Sequence, residues 1–222
     1  MFDFLKKSDV EINTTEIINT IENNVYSKLK PFGFRKYGRT LHRFVDNDIS
    51  QVINFQCGQA YRDETHLMWV NIGIRISECV LREFHSDEVL KKYYHEYECN
   101  IRSRLGTVKN EEESCYDLRG NIENIIDDIS EQIRQYVLPV FEVLNSRGAI
   151  LRERKNYPNF DTMNHLIVLE EAMIYGKMGN MDMATARYQQ YYKNCLCAEN
   201  PHRAHIEYLR GLAEKLESSL EN

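Results

Sequence analysis

With 222 residues, a net charge of -6 and 42% hydrophobic side chains, the chain can bury a real core. Its acidic balance argues against nucleic acid as a partner, because such binding needs Lys and Arg to neutralise phosphates. The length exceeds the roughly 100–150 residues common for one domain, which predicts a main domain with an appendage.

The amino-terminal MFDFLKKSDVEINTTE lacks an apolar core of signal-peptide length, and no stretch of ~20 apolar residues could span a bilayer. A cytoplasmic protein with no membrane partner is expected. Its six dispersed cysteines are then expected to remain thiols. Charge is segregated along the chain. Lys28, Lys30, Arg35, Lys36, Arg39 and Arg43 follow one another with no acid between, whereas Glu111 to Glu131 holds eight acids against the single base Arg119. Two solvated faces on opposite sides of the fold are the simplest expectation.

Taken in order, Asn13 with Glu16 reads as a capping-box start, and Ile17, Ile18, Ile21, Val25 and Leu29 give a helical stripe that should stop before Pro31 and Gly33. Residues 34–46, 49–58 and 66–77 read as three antiparallel strands, the first two joined at Asp46-Asn47-Asp48. In the third, Met68, Val70, Ile72, Ile74 and Ile76 alternate with Trp69, Asn71, Gly73 and Arg75, so one face is expected to be the core. Ser86-Asp87-Glu88 predicts a helix running to about Cys99 that packs through Leu90, Tyr93, Tyr94 and Tyr97. An extended piece, Ile101 to Val108, should come next.

Ile122, Ile125, Ile126, Ile129, Ile133, Tyr136, Val137, Val140, Phe141 and Leu144 trace the strongest helix, over 120–145, with Pro139 predicting a kink near Gln135–Leu138. Residues 146–161 lose this period, are strongly basic and read as a linker. Beyond it, three helices broken at Gly179-Asn180 and Asn200-Pro201 are expected. The fold class is α+β: an antiparallel three- or four-stranded sheet covered by helices in residues 1–150, then a linker and helical tail in 151–222.

Leu29-Lys30-Pro31-Phe32-Gly33-Phe34-Arg35-Lys36, Arg39-Thr40-Leu41-His42-Arg43-Phe44, Val52-Ile53-Asn54-Phe55-Gln56, Val70-Asn71-Ile72-Gly73-Ile74, Arg102-Ser103-Arg104-Leu105-Gly106 and Val137-Leu138-Pro139 stand in an order that resembles the bacterial Domain of Unknown Function 4304 family, over about residues 13–145. The resemblance implies a fold and a bacterial origin, and no reaction. In the tail, Ala172, Tyr175, Gly179, Ala184 and Tyr188 resemble one tetratricopeptide-like hairpin. A single copy falls short of the about three repeats that a peptide groove needs, so capping the main domain or a homodimer contact is expected of these helices.

Arg43, Gln56, Asn71, Arg102 and Arg104 are the candidate ligand-binding residues, within a wider donor set that includes Arg39, Asn54 and Arg75. Guanidinium groups grip carboxylate or phosphate through parallel hydrogen bonds, and amides add uncharged donors. The competing account has these groups satisfied locally by acids and backbone. Cys195, Cys197, His202 and His205 do not match the common structural zinc spacings, so no metal site and no cofactor is expected. No nucleophile elbow, phosphate loop or zinc-protease motif is present, and His42 and His95 lack spaced partners. The favoured reading is a noncatalytic binding or interaction protein, for example of immunity type, recognising a small anionic ligand or a protein partner. The alternative is a small hydrolase or nuclease using His42 and the arginines on a phosphate ester.

Overall fold

The computed structural model describes residues 13–46, 48–58, 66–79, 91–109, 115–161 and 166–196. They fall into two compact units, Met1–Asn164 and His165–Asn222. The first begins with α1 (Thr14–Leu29), capped where the Asn13 side chain accepts from the Glu16 amide at 3.2 Å. Gly33, at φ 85°, takes the left-handed turn that leads out of the helix.

Strands β1 (Arg35–Tyr37), β2 (Thr40–Asp46), β3 (Ile49–Cys57), β4 (Leu67–Ile76) and β5 (Ile101–Arg104) pair antiparallel in that order, and β6 (Tyr116–Asp117) pairs with the start of β4. Among the described residues the sheet thus has six strands, where three or four were expected. Part of the excess comes from the stretch read as one strand from Phe34. Gly38 adopts φ 55°, and Tyr37 pairs with Thr40, so a two-residue turn folds the stretch into a hairpin. Ile101–Val108 likewise divides into β5 and a single helical turn, α2 (Leu105–Val108).

Register assigns the faces. Leu41, Ile53 and Ile72 are mutual partners, as are Gln51, Ile74 and Ile101, so these side chains share one face of the sheet. That apolar face carries Leu41, Ile49, Ile53, Phe55, Met68, Val70, Ile72, Ile74 and Ile76, all buried. Each such residue contributes about 1.5–3 kcal/mol relative to exposure. Helices cover it. The chain expected as one helix over 120–145 is α3 (Ile122–Gln132), a wide π-helical turn at Ile133–Val137, and α4 (Leu138–Val143). Pro139 has no amide hydrogen to donate one turn back, and the wide turn absorbs that loss where the kink was expected.

The basic residues 146–161 are not an open linker. They form α5 (Arg147–Glu153) and two 3-10 turns, with Ile150 and Phe160 buried. Their charge is spent on ion pairs. Arg147 gathers Asp46, Asp48 and Glu78 at 3.4, 3.2 and 2.7 Å, and Arg154 meets Asp161 at 2.6 Å. Nor do the basic and acidic runs occupy opposite sides. Lys28 of α1 reaches Asp127 of α3 at 2.6 Å, and Lys36 and Arg39 flank the buried Glu22 at 3.1 and 3.7 Å. Burial raises the Glu22 pKa against these two cations.

In the second unit, α6 (Ile167–Lys177) and α7 (Met181–Leu196) form a helical hairpin that turns at Gly179, φ 76°. Arg187 joins Glu171 across it at 3.1 Å, and Ala172 and Ala184 are buried, as close helix packing requires. The third tail helix expected beyond Pro201 lies outside the described residues.

Arg43 ties the apolar face to its helices. Its guanidinium donates to Gln51 Oε1 at 2.7 Å, the Phe32 carbonyl at 2.8 Å and Glu142 at 2.7 Å, and lies 4.9 Å from the Phe34 ring centre. Gln51 in turn donates to the Phe141 carbonyl at 2.6 Å. Replacing Arg43 with Ala should therefore destabilise the fold by about 2 kcal/mol, because the buried Gln51 amide oxygen loses its donor and the packing on Phe34 is lost. Chemical denaturation measures this, and an unchanged midpoint would show that the network carries no stability.

Candidate functional site

Opposite the apolar face, register assembles a polar one. Thr40, Asn54, Asn71 and Arg104 form one row across β2, β3, β4 and β5; Gln56 and Trp69 form the next; His42, Val52, Gly73 and Arg102 lie to the other side; Phe44, Ser50 and Arg75 end the set. The expectation that only one face of β4 is buried is corrected here. Asn71, Gly73 and Arg75 are buried as well, because residues 91–99 cross this side of the sheet.

That crossing segment is not the predicted α-helix. Residues 80–90 lie outside the described residues, and residues 91–99 are irregular apart from a 3-10 turn at Glu96–Glu98. Its tyrosines at 93 and 94 serve the sheet rather than a helical face. Tyr93 stacks on Tyr37 of β1, with ring centres 4.7 Å apart, and Tyr94 covers the Arg75 guanidinium at 3.7 Å. A Cβ added at Gly73 would come within 2.6 Å of Cys99 Sγ, so the glycine lets the returning chain lie against β4.

The five candidate residues do not converge as a set. Arg43 points to the helix-covered face and is consumed by the network described above, so it is removed from the shared site. Arg102 is on the polar face but donates to Glu96 through Nε at 2.7 Å and through a second, shorter contact from Nη2. Gln56, Asn71 and Arg104 do lie side by side. Asn71 Nδ2 donates to Gln56 Oε1 at 2.8 Å, and the Arg104 guanidinium sits over the Trp69 ring, 5.5 Å from its centre. Gln56 is exposed, while Asn54, Trp69 and Arg104 are half-buried. Half-burial draws the Arg104 pKa below its usual value, outweighing the opposite pull of the nearby Glu96 carboxylate. Trp69 was legible only as a member of this face by alternation, and Tyr37 became available to it once the Gly38 turn formed.

The two histidines weighed as bases are both engaged in packing. His95 stacks on Tyr97 at 5.1 Å, and its amide donates to Glu98 at 2.7 Å. His42 is 2% exposed beneath Phe44 and Tyr94, and burial first, then the Arg75 charge, lowers its pKa to about 4. Among the described residues, no group of three His, Cys, Asp or Glu side chains could hold a metal ion. Cys197, His202 and His205 lie outside them, as does the Cys195 side chain. Cys57, Cys79, Cys99 and Cys115 are thiols, and no described helix is long and apolar enough to cross a membrane.

Because His42 is held neutral in the folded protein and titrates near its ordinary value when unfolded, the unfolded chain binds the extra proton between pH 6.5 and about 4. Stability should fall as pH drops through that window, by about 3 kcal/mol from this group, and be fully present above pH 6.5. Denaturation midpoints of the wild type and His42→Gln at pH 7 and pH 4.5 test it. Equal acid sensitivity in both proteins would refute the assignment.

No curated protein and no solved structure matches the chain. A family model described as a domain of unknown function matches residues 25–143, the span that runs from α1 through the sheet and both of its faces to the end of α4. With more than half of the sequence inside that match, the chain belongs to the Domain of Unknown Function 4304 family.

Proposed function

We propose that this protein is a noncatalytic binding protein that receives an anionic group, of a small ligand or of a protein partner, on the polar sheet face at Gln56, Trp69, Asn71 and Arg104, with Arg102 beside them. The observation that carries this reading is the Arg104 guanidinium lying over Trp69 next to the hydrogen-bonded Asn71–Gln56 pair. An aromatic platform holds a cation in a fixed orientation while leaving its charge in place, and amides beside it add donors and acceptors. An immunity-type role, in which the face takes an acidic side chain of a toxin, is one instance. A bacterial, cytoplasmic protein fits the thiols. The tetratricopeptide-like hairpin would serve as a second protein contact, between copies of the chain or with a partner.

The phosphoesterase alternative gains little from this geometry, since His42 is sealed under two aromatic rings.

Trp69 is the only tryptophan in the chain, so its emission reports on this face alone. Titration with nucleotides, phosphates, organic acids and acidic peptides should change that emission for one class. A ligand present at about a hundred times its Kd should also raise folding stability by ~2.7 kcal/mol. Arg104→Gln should weaken the same ligand about tenfold, since a charge-assisted bond is lost. Binding unchanged in Arg104→Gln, or metal-dependent phosphoester turnover by the wild type, would overturn the reading.

A further inference from the structure

The segment that crosses the polar face carries aromatic rings in an unbroken run. Tyr93 stacks on Tyr37 of β1 with ring centres 4.7 Å apart, His95 meets Tyr93 edge-on at 5.3 Å, and Tyr97 stacks on His95 at 5.1 Å. The first three rings are half-buried, but Tyr97 is 67% exposed. A ring with that much of its surface in water adds little to the fold. It is nevertheless held flat against His95, so it is oriented before anything binds and has little rotamer freedom left to lose.

Charge around this run is unequal. Both carboxylates of the segment are occupied: Glu96 receives Arg102 Nε at 2.7 Å, and Glu98 receives Lys91 Nζ at 2.8 Å and the His95 amide at 2.7 Å. Two cations are not. Arg35 stands two residues before Tyr37 on β1 and, as the partner of His42, faces the same side of the sheet, while Lys92 immediately precedes Tyr93. Both are exposed, and among the described residues neither has an acidic partner. Pre-ordered aromatic rings beside unspent positive charge complement an acidic protein segment, because tyrosines supply contact area and the cations steer carboxylates towards them. The net charge of -6 disfavours a long polyanion such as nucleic acid, whereas a short acidic segment needs only the local cations.

We propose that the run Tyr37, Tyr93, His95 and Tyr97, with Arg35 and Lys92 at its β1 end, is a docking surface for an extended acidic segment of a protein partner. End to end, the run is no longer than about five extended residues, so the segment is short. This surface does not depend on the Trp69–Arg104 position. Tyr37 and Arg104 stand at opposite ends of one row, four strand spacings or about 19 Å apart.

The test uses the full chain and three fluorescein-labelled probes: a peptide of about eight residues alternating Glu and Pro, kept extended by its prolines, the matching Lys-Pro peptide, and an oligothymidine of similar charge. Fluorescence anisotropy should show binding of the Glu-Pro peptide alone, weakening as salt is added. Tyr97→Ser and Lys92→Glu should each weaken it about tenfold, with the melting temperature of Tyr97→Ser unchanged. Arg104→Gln should bind the peptide as the wild type does. The proposal is overturned if the Glu-Pro peptide does not bind, if both surface variants bind it as the wild type does, or if either control probe binds as tightly. Loss of binding in Arg104→Gln with Tyr97→Ser unaffected would put the peptide at the Trp69 position, sinking this surface and leaving that one standing. A smaller particle size for Tyr97→Ser in light scattering would make a second copy of the chain the occupant, which also overturns the proposal.

Discussion

Everything at the sheet depends on the antiparallel register of β3 against β4, in which Asn54 faces Asn71 and Ile53 faces Ile72. Because side chains alternate along a strand, this pairing sends the isoleucines of β4 to the helices and sends Trp69, Asn71, Gly73 and Arg75 to the other side. A slip of one residue would exchange the two sets and bury Arg75 among isoleucines, at a cost no local adjustment could repay. The apolar face therefore sets the register. The polar face inherits its positions from that choice, and where residues 91–99 cover it, at Gly73 and Arg75, it is packed as well.

The parts of this arrangement that were legible in the sequence are those governed by a single period. Alternation in 67–76, the apolar stripe of α1 and the break around Pro139 all come from spacing within one segment. Harder to see were features set by one backbone angle or by a partner far away. Gly38 folds a stretch of continuous strand character into two strands, although its Gly-Arg pair is not a strong turn signal. Tyr93, Tyr94 and Tyr97 fall at spacings that suit a helix, but their rings are used against Tyr37, Arg75 and His95 instead. The basic stretch at 146–161 looked like a linker because its stabilising partners, Asp46, Asp48 and Glu78, are about 70–100 positions away.

The same distinction explains the candidate site. Alternation within one strand says which residues share a face of that strand, but not which face of the neighbour they join; that requires the register. Asn71, Gln56 and Arg104 share a face because 54 pairs with 71, 56 with 69 and 71 with 104. Arg43 pairs with Gln51, whose partner is Ile74, and so stands on the opposite side. Residue type alone made these arginines equivalent. Their surroundings make Arg43 a cross-brace beneath α4, Arg102 one half of an ion pair with Glu96, and Arg104 a cation resting on an indole.

What separates the two polar positions on one face is how each is covered. The segment 91–99 runs over Val52, Gly73 and Arg75, anchored by Cys99 against Gly73 and by Asn100, whose side chain accepts from the Ile76 amide at 2.9 Å and donates to the Cys79 carbonyl at 2.8 Å. This cover removes water from His42 and Ser50 and strengthens the field of Arg75 there, since charges act more strongly where solvent is excluded. Gln56, Trp69 and Arg104 keep contact with water, where a charged contact is screened and is worth less. On the proposed reading, a ligand at the Trp69 position therefore gains less from each charged contact than it would beneath that cover.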